Sequence, residues 1–483
     1  MAKDFIVAIE LGTSKITRMA GKKNPDGSIT ILAAASEDST SYIRKGVVYS
    51  IDKTTQGLSN IISKLKNSLQ ADITQVYVGI GGQSIHSVKN MVIKDLPMDA
   101  IVSQNMVNEL MDSNRNMTYP DYEIQDAITE EYKVDLQYQN DPVGIQASRL
   151  EGNFLNILWR RSFYRNLNKS FDNAGIAIAE TYLAPLVMAD NVLTEAEKRA
   201  GCVLVDLGAE TTTVSVYYRD KLRSIAVIPL GGDNITKDLE SLQMEACEAE
   251  RMKLKYSSAI TDVADIDPTA ILPIDSNRSV ESRRFIEVVE ARTLEIIENV
   301  KSFIPSEYID KLLGGIIITG GGSNMTNIEK AFREITGVEK IRIAKFVTLN
   351  INSKDSKPEL RHDGTMNTIL SLIARGDMNC AGNPFGNSLF DNQQFNAAFT
   401  TGTTNGTTTT QPNATTPHET EEERTKREEK ERIAKEEAER IKQEEETRKA
   451  KEEEERKKNS PIHRFFGSLK QFGRSLVEPE NNE

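Results

Sequence analysis

Three short runs in this chain carry residue types whose spacing suggests chemistry. Val7-Ala8-Ile9-Glu10-Leu11-Gly12-Thr13-Ser14-Lys15 and Val203-Leu204-Val205-Asp206-Leu207-Gly208-Ala209-Glu210-Thr211-Thr212 share one grammar. An apolar strand ends at an acidic residue, a glycine follows, and polar residues lead into a second strand. Glycine lacks the Cβ that would keep backbone N–H groups from phosphate oxygens, Thr and Ser hydroxyls add donors, and the carboxylate can hold a hydrated magnesium ion. Two such hairpins facing each other would clamp a nucleotide. The third run, Ile316-Ile317-Ile318-Thr319-Gly320-Gly321-Gly322-Ser323, is a strand ending in three glycines before a helix, a place where backbone can pass close to a flat group such as adenine. Each run alone is more often a plain turn; the argument rests on all three occurring in this order.

The elements that must position these runs alternate in type. β-branched stretches at Phe5–Ile9, Gln75–Ile80, Cys202–Asp206, Thr213–Tyr217 and Gly315–Thr319 read as strands, and apolar periodicity predicts helices over Lys53–Leu69, Asp238–Tyr256, Glu281–Phe303 and Met325–Phe332. The class is mixed α/β. The two hairpin runs lie about 196 residues apart and suggest two duplicated lobes.

Composition limits the alternatives. With 483 residues, 72 acidic against 60 basic side chains and a formal charge of −12, a general positive field for nucleic acid is not expected. No apolar run approaches the ~18 residues of a spanning helix. Three cysteines, Cys202, Cys247 and Cys380, are odd in number and far apart, and His86, His362, His418 and His463 are isolated, so no disulfide framework, zinc spacing or nucleophile motif is predicted.

The charge is unevenly spread. Of the 40 residues from Glu419 to Lys458, 31 are charged, 17 Glu and 14 Lys or Arg, while the stretch before them is rich in Thr, Asn and Gly. A globular body to about residue 378 is thus expected, then a disordered linker over 379–418 and a charged spacer over 419–459, either disordered or a single helix of about 60 Å. Residues 460–478 differ again. Ser460 and Pro461 suit a helix start; Ile462, Phe465, Phe466, Leu469, Phe472, Leu476 and Val477 fall on one stripe, with Arg464, Lys470 and Arg474 outside it. That pattern predicts an amphipathic helix lying in an anionic membrane surface.

The order of the hairpins, the Ala249–Lys253 helix segment and the triple glycine resembles the actin and heat-shock chaperone ATPase superfamily, a two-lobed, ribonuclease H-like fold. Within it the chain is most similar to FtsA, the actin-like bacterial cell-division family. Glu131–Asp135 followed by Asp141–Glu151 looks like that family's inserted subdomain, and Ile228-Pro229-Leu230-Gly231-Gly232-Asp233 resembles its turn after the second hairpin. The resemblance implies a first lobe over 1–83 and 163–198, an inserted subdomain over 84–162, and a second lobe over 199–378 whose smaller subdomain is about 233–303. It implies ATP and Mg as ligands. Gly12, Thr13, Ser14 and Lys15 with Gly208, Thr211 and Thr212 would meet the phosphates; Glu10 and Asp206 would hold the metal through water. Glu250 and Lys253 would reach ribose and adenine, Gly320, Gly321, Gly322 and Ser323 would lie beneath the base, and Gly231 and Gly232 belong to the same pocket. The implied partners are FtsZ, other copies of the chain, anionic lipids, and other division proteins through the inserted subdomain, at the cytoplasmic face of the membrane at the division site. The smaller subdomain would take the acidic FtsZ tail, with Arg283, Arg284 and Arg292 as candidate cations or as ordinary surface charges. A superfamily kinase or chaperone, or a pilus-assembly relative, are the alternatives. Two departures bear on turnover, which is expected to be weak. Glu10 stands where the family has Asp, and Ala209-Glu210 replaces two glycines, so that Glu210 either repels phosphate or faces solvent on a displaced loop.

Overall fold

The strand Ile6–Leu11 is buried at nearly every position, the signature of a strand covered on both faces. In the computed structural model, which describes residues 4–353 and 359–384 apart from 263, 265, 266 and 268, it lies third in a six-stranded sheet. The order is Ala177–Leu183, Gln75–Ile80, Ile6–Leu11, Lys15–Lys23, Ile29–Asp38 and Ile351–Ser353. The first two joins are parallel and the next two antiparallel. A second sheet repeats the pattern with Ile341–Ile343, Gly315–Thr319, Cys202–Leu207, Thr212–Tyr218 and Lys221–Ile228, again parallel, parallel, antiparallel, antiparallel. The duplication read from two hairpin sequences is therefore a duplication of five strands. Its register is the same in both lobes, with Glu10 opposite Thr17 and Asp206 opposite Thr213.

The second sheet continues into His86–Ile101, Gln146–Arg160, Tyr122–Val134 and Gln137–Gln139, joined to it by one residue pair, Ala226 with His86. The helix Gln104–Arg115 covers this extension through Val107 and Leu110, which pack with Leu150 and Phe154 in a small core of their own.

The helix Ile51–Leu69 buries Leu58, Ile61, Ile62, Leu65 and Leu69 at helical spacing and stops at Gln70, which takes a left-handed conformation. Ser282–Ser302 likewise matches its periodicity. The continuous helix expected over Asp238–Tyr256 is instead two, Gly232–Glu240 and Ala246–Tyr256. Leu242 and Met244 are both buried between them, and Gln243 at φ 63° makes the reversal that turns both inward. The helix Asn367–Arg375, grouped with the second lobe by sequence position, packs on the first. Seven successive residues from Asn367 to Ile373 are buried, and they need a surrounding core. Gly21 and Gly79 provide the space, since a Cβ there would lie 2.8 Å from Ile373 and 2.6 Å from Leu372. The linker, charged spacer and amphipathic helix expected after residue 384 lie outside the described residues.

Candidate nucleotide site

Each hairpin turn is closed by the same bond. The Gly12 N–H donates to the Lys15 carbonyl at 3.1 Å, and the Gly208 N–H to the Thr211 carbonyl at 2.9 Å. A Cβ would sit 2.7 Å from that carbonyl oxygen at Gly12 and 2.8 Å at Gly208, so both turns require glycine by close approach. The first turn is fixed from behind by the buried Ser39 hydroxyl, 2.7 Å from the Gly12 carbonyl and 2.9 Å from that of Thr13. The second is fixed by the turn after it, where Gly232 and Asp233 N–H groups donate to the Gly208 and Ala209 carbonyls at 3.0 and 2.7 Å.

The hairpins open onto a cleft of about 490 Å³. Glu10, Gly12 to Lys15, Asp206, Gly208, Thr211, Gly231, Gly232, Glu250, Lys253 and Gly320 to Gly322 all line it, brought together from both lobes. Two expected residues do not. Thr212 is fully buried and its hydroxyl donates to the Leu230 carbonyl at 2.9 Å; Ser323 is turned inward and donates to the Gly320 carbonyl at 2.7 Å. Their places in the lining are taken by Thr213 and Asn324, and Thr17, Asp233 and Thr368 join them. Strand alternation carried the signal for Thr213, because residues two apart share a face and Thr211 was already assigned to the cleft. Thr368 had no signal in the sequence, since it arrives on the helix that crosses back to the first lobe.

The two carboxylates differ from ordinary ones. Burial, then the neighbouring Asp206, push Glu10 up to about 7 against the opposing pull of Lys15 and a Thr368 hydrogen bond. Burial alone pushes Asp206 up to about 6. A cation brought into the cleft would favour the ionised form of both. Among the described residues no group of three or more His, Cys, Asp or Glu could hold a metal; what this pair offers is two carboxylates, which can accept from the waters of a hydrated Mg²⁺. Gly320, at φ 83°, approaches Asp206 so closely that a Cβ there would collide with Asp206 Oδ1.

Lys253 is less free than its assignment to the base implied. Its side chain is 10% exposed, and its ammonium donates to the Gly232 carbonyl at 3.0 Å, to Thr236 at 2.8 Å and to Glu250 at 2.6 Å. It therefore braces the Gly231-Gly232 turn and orients Glu250, which remains the more accessible of the two. On the helix Ser282–Ser302, Arg292 is held by Asp238 at 2.6 and 3.1 Å and by Glu295, and Arg283 pairs with Glu287, whereas Arg284 stands exposed.

Glu210 follows neither expectation. Its side chain is 16% exposed. One carboxylate oxygen accepts from the Lys45 backbone N–H at 2.7 Å, and the other lies 3.2 Å from the Lys237 ammonium. It lines a neighbouring cleft beside Lys45 and Lys237, not the cleft the two hairpins share.

Comparison with known proteins agrees with this geometry. The family model "Cell division protein FtsA" matches residues 203–361, and that of the SHS2 domain inserted in FtsA matches residues 82–158. The cell division protein FtsA of Porphyromonas gingivalis is 31% identical over 352 residues, spanning 71% of this chain and 74% of the relative. The chain belongs to the FtsA family. The FtsA of Neisseria meningitidis is 30% identical over 369 residues, spanning 71% of this chain and 88% of its own. A solved PilM–PilN type IV pilus biogenesis complex matches with TM-score 0.53 at 14% identity, over 77% of this chain and 98% of that one, a likeness of fold alone. As an FtsA-family chain, this is a cell-division protein of actin-like fold, and the FtsA insertion falls on the strands that extend its second sheet.

Proposed function

We propose that the chain binds ATP with Mg²⁺ between its lobes, assembles into actin-like filaments, and tethers FtsZ filaments to the cytoplasmic face of the membrane at the division site. The observation that supports the nucleotide reading is the repeated turn, two glycine hairpins of one geometry opening from opposite lobes onto one cleft. Gly12 and Gly208, whose own N–H groups close their turns, let the backbone approach the phosphates, which the N–H groups of Thr13 and Ser14, with Lys15 and Thr211, hold; Glu10 and Asp206 hold the hydrated metal; Glu250 takes the ribose, with Gly321 and Gly322 under the base. Lys15 offsets the negative charge. Turnover is slow, since Glu10 and Ala209 depart from the family's Asp and Gly at positions next to the phosphates. The FtsZ tail docks on the smaller subdomain of the second lobe, where Arg284 is free to meet an acidic peptide, and the inserted domain receives other division proteins.

Membrane attachment rests on residues 460–478, whose apolar stripe and flanking Arg464, Lys470 and Arg474 suit an anionic bilayer. Co-sedimentation with anionic vesicles, with and without FtsZ, tests the whole reading. Full-length protein is expected to carry FtsZ to the vesicles, and protein lacking residues 460–483 is expected to leave it in solution. Vesicle binding that survives the truncation refutes the anchor, and vesicle-bound protein that recruits no FtsZ refutes the tether.

A further inference from the structure

Glu210 occupies the third position of its turn, where the first hairpin has Ser14. Its contact across the cleft is to a second tight turn. Lys45 at φ 48° and Gly46 at φ 72° form the tip of the small hairpin Ile43–Val48, whose Ile43, Val47 and Val48 are buried in the first lobe's core. The two N–H groups of this tip point to different hairpins. Lys45 donates to Glu210 of the second lobe, and Gly46 donates to Thr13 Oγ1 of the first at 2.9 Å. The tip cannot easily shift, because Gly46 is packed on Gly82 so tightly that a Cβ would lie 2.5 Å from its Cα, and the Gln83 N–H donates to the Lys45 carbonyl at 2.8 Å. A continuous chain of bonds thus runs from Thr13 through Gly46 and Lys45 to Glu210 and on to Lys237.

We propose that Glu210 is a positioning residue that ties the two phosphate hairpins together across the cleft and slows nucleotide release. The proposal rests on the nucleotide reading above and adds to it a role for the one acidic residue in the second turn. A charged acceptor on a backbone N–H, mostly shielded from water, is among the stronger single hydrogen bonds available to a protein. Opening the cleft requires that bond to break, since it joins a lobe-one backbone to a lobe-two side chain. Lys237 neutralises the carboxylate and keeps it aimed at Lys45. The family's glycine at this position has no side chain with which to make the tie.

Two measurements on the full-length protein decide it. Without nucleotide, amide exchange across residues 41–49 reads the Lys45 N–H directly; with N-methylanthraniloyl-ATP, stopped-flow displacement reads release. Glu210→Ala is expected to speed Lys45 exchange and nucleotide release by about tenfold each, the loss of one charged hydrogen bond. Glu210→Gln keeps a neutral acceptor and is expected to preserve most of the amide protection while release rises to an intermediate rate, and Lys237→Ala is expected to behave like it. A Lys45 amide that stays protected in Glu210→Ala overturns the tie, as does slower release, which is the outcome of a carboxylate that merely repels phosphate. Wild-type protein that binds no labelled ATP overturns the nucleotide reading instead, while amide exchange, measured without nucleotide, still judges the tie.

Discussion

The first and second glycine hairpins have the same backbone and different tips. In both, a buried strand ends in a carboxylate, a glycine N–H closes a four-residue turn, and a threonine faces the carboxylate across the ladder. The first tip then offers Thr13 and Ser14 to the cleft, whereas the second has a methyl group at Ala209 and a carboxylate at Glu210 that turns to the other lobe. Backbone geometry is what the duplication preserved. Side chains at the tip were free to take separate tasks, because phosphate oxygens can be met by N–H groups alone.

If backbone approach is the shared element, Gly12→Ala and Gly208→Ala must fail alike. Each added Cβ would press on the carbonyl that closes its own turn, at 2.7 and 2.8 Å. Strain of roughly 1–3 kcal/mol corresponds to about a tenfold to hundredfold loss of nucleotide affinity, measured by calorimetry on the two variants. A large loss in one variant and none in the other would show that only one hairpin meets the ligand.

Much of this site was legible in the sequence because its determinants are local. A glycine after a strand-terminal acid, read twice, located both turns, and the Gly320–Gly322 run located the third wall. What escaped depended on packing between distant segments. Thr368 lines the cleft only because its helix returns to the first lobe, and Glu210 finds Lys45 across 165 positions of sequence. The break in the helix expected over Asp238–Tyr256 was hidden for a related reason: an apolar period continues through Leu242 and Met244 although the backbone reverses between them.

The carboxylates sharpen the comparison through pH. On the proposed reading, in which this pair holds the hydrated metal, Glu10, raised to about 7, and Asp206, raised to about 6, must both lose their protons. Proton loss therefore accompanies Mg²⁺–nucleotide binding, and affinity should rise by about tenfold between pH 6 and pH 8. Without ligand the sign reverses. The folded state retains protons that the unfolded chain has released, so stability from these two groups is present at acid pH and declines as pH rises from about 4 through the folded values. Glu10→Gln should remove most of the pH dependence of binding, and Asp206→Asn the smaller part at lower pH. Equal slopes in the two variants would mean that the hairpins present equivalent carboxylates.

The smallest expected effect separates two adjacent threonines. Thr213 matches Thr17 in register and lines the cleft with it, while Thr212 points the opposite way and gives its hydroxyl to the Leu230 carbonyl. Thr213→Val removes a hydroxyl that has no protein partner among the described residues, so nucleotide affinity should fall a few-fold with little change in melting temperature. Thr212→Val leaves the Leu230 carbonyl without that donor, and the cost is about 1 kcal/mol of stability with affinity nearly unchanged. The pattern follows from strand alternation and the common register of the two lobes. Reversed outcomes for the two valines would mean that the second hairpin presents its other face to the ligand, and with it the equivalence of Thr17 and Thr213 would fall.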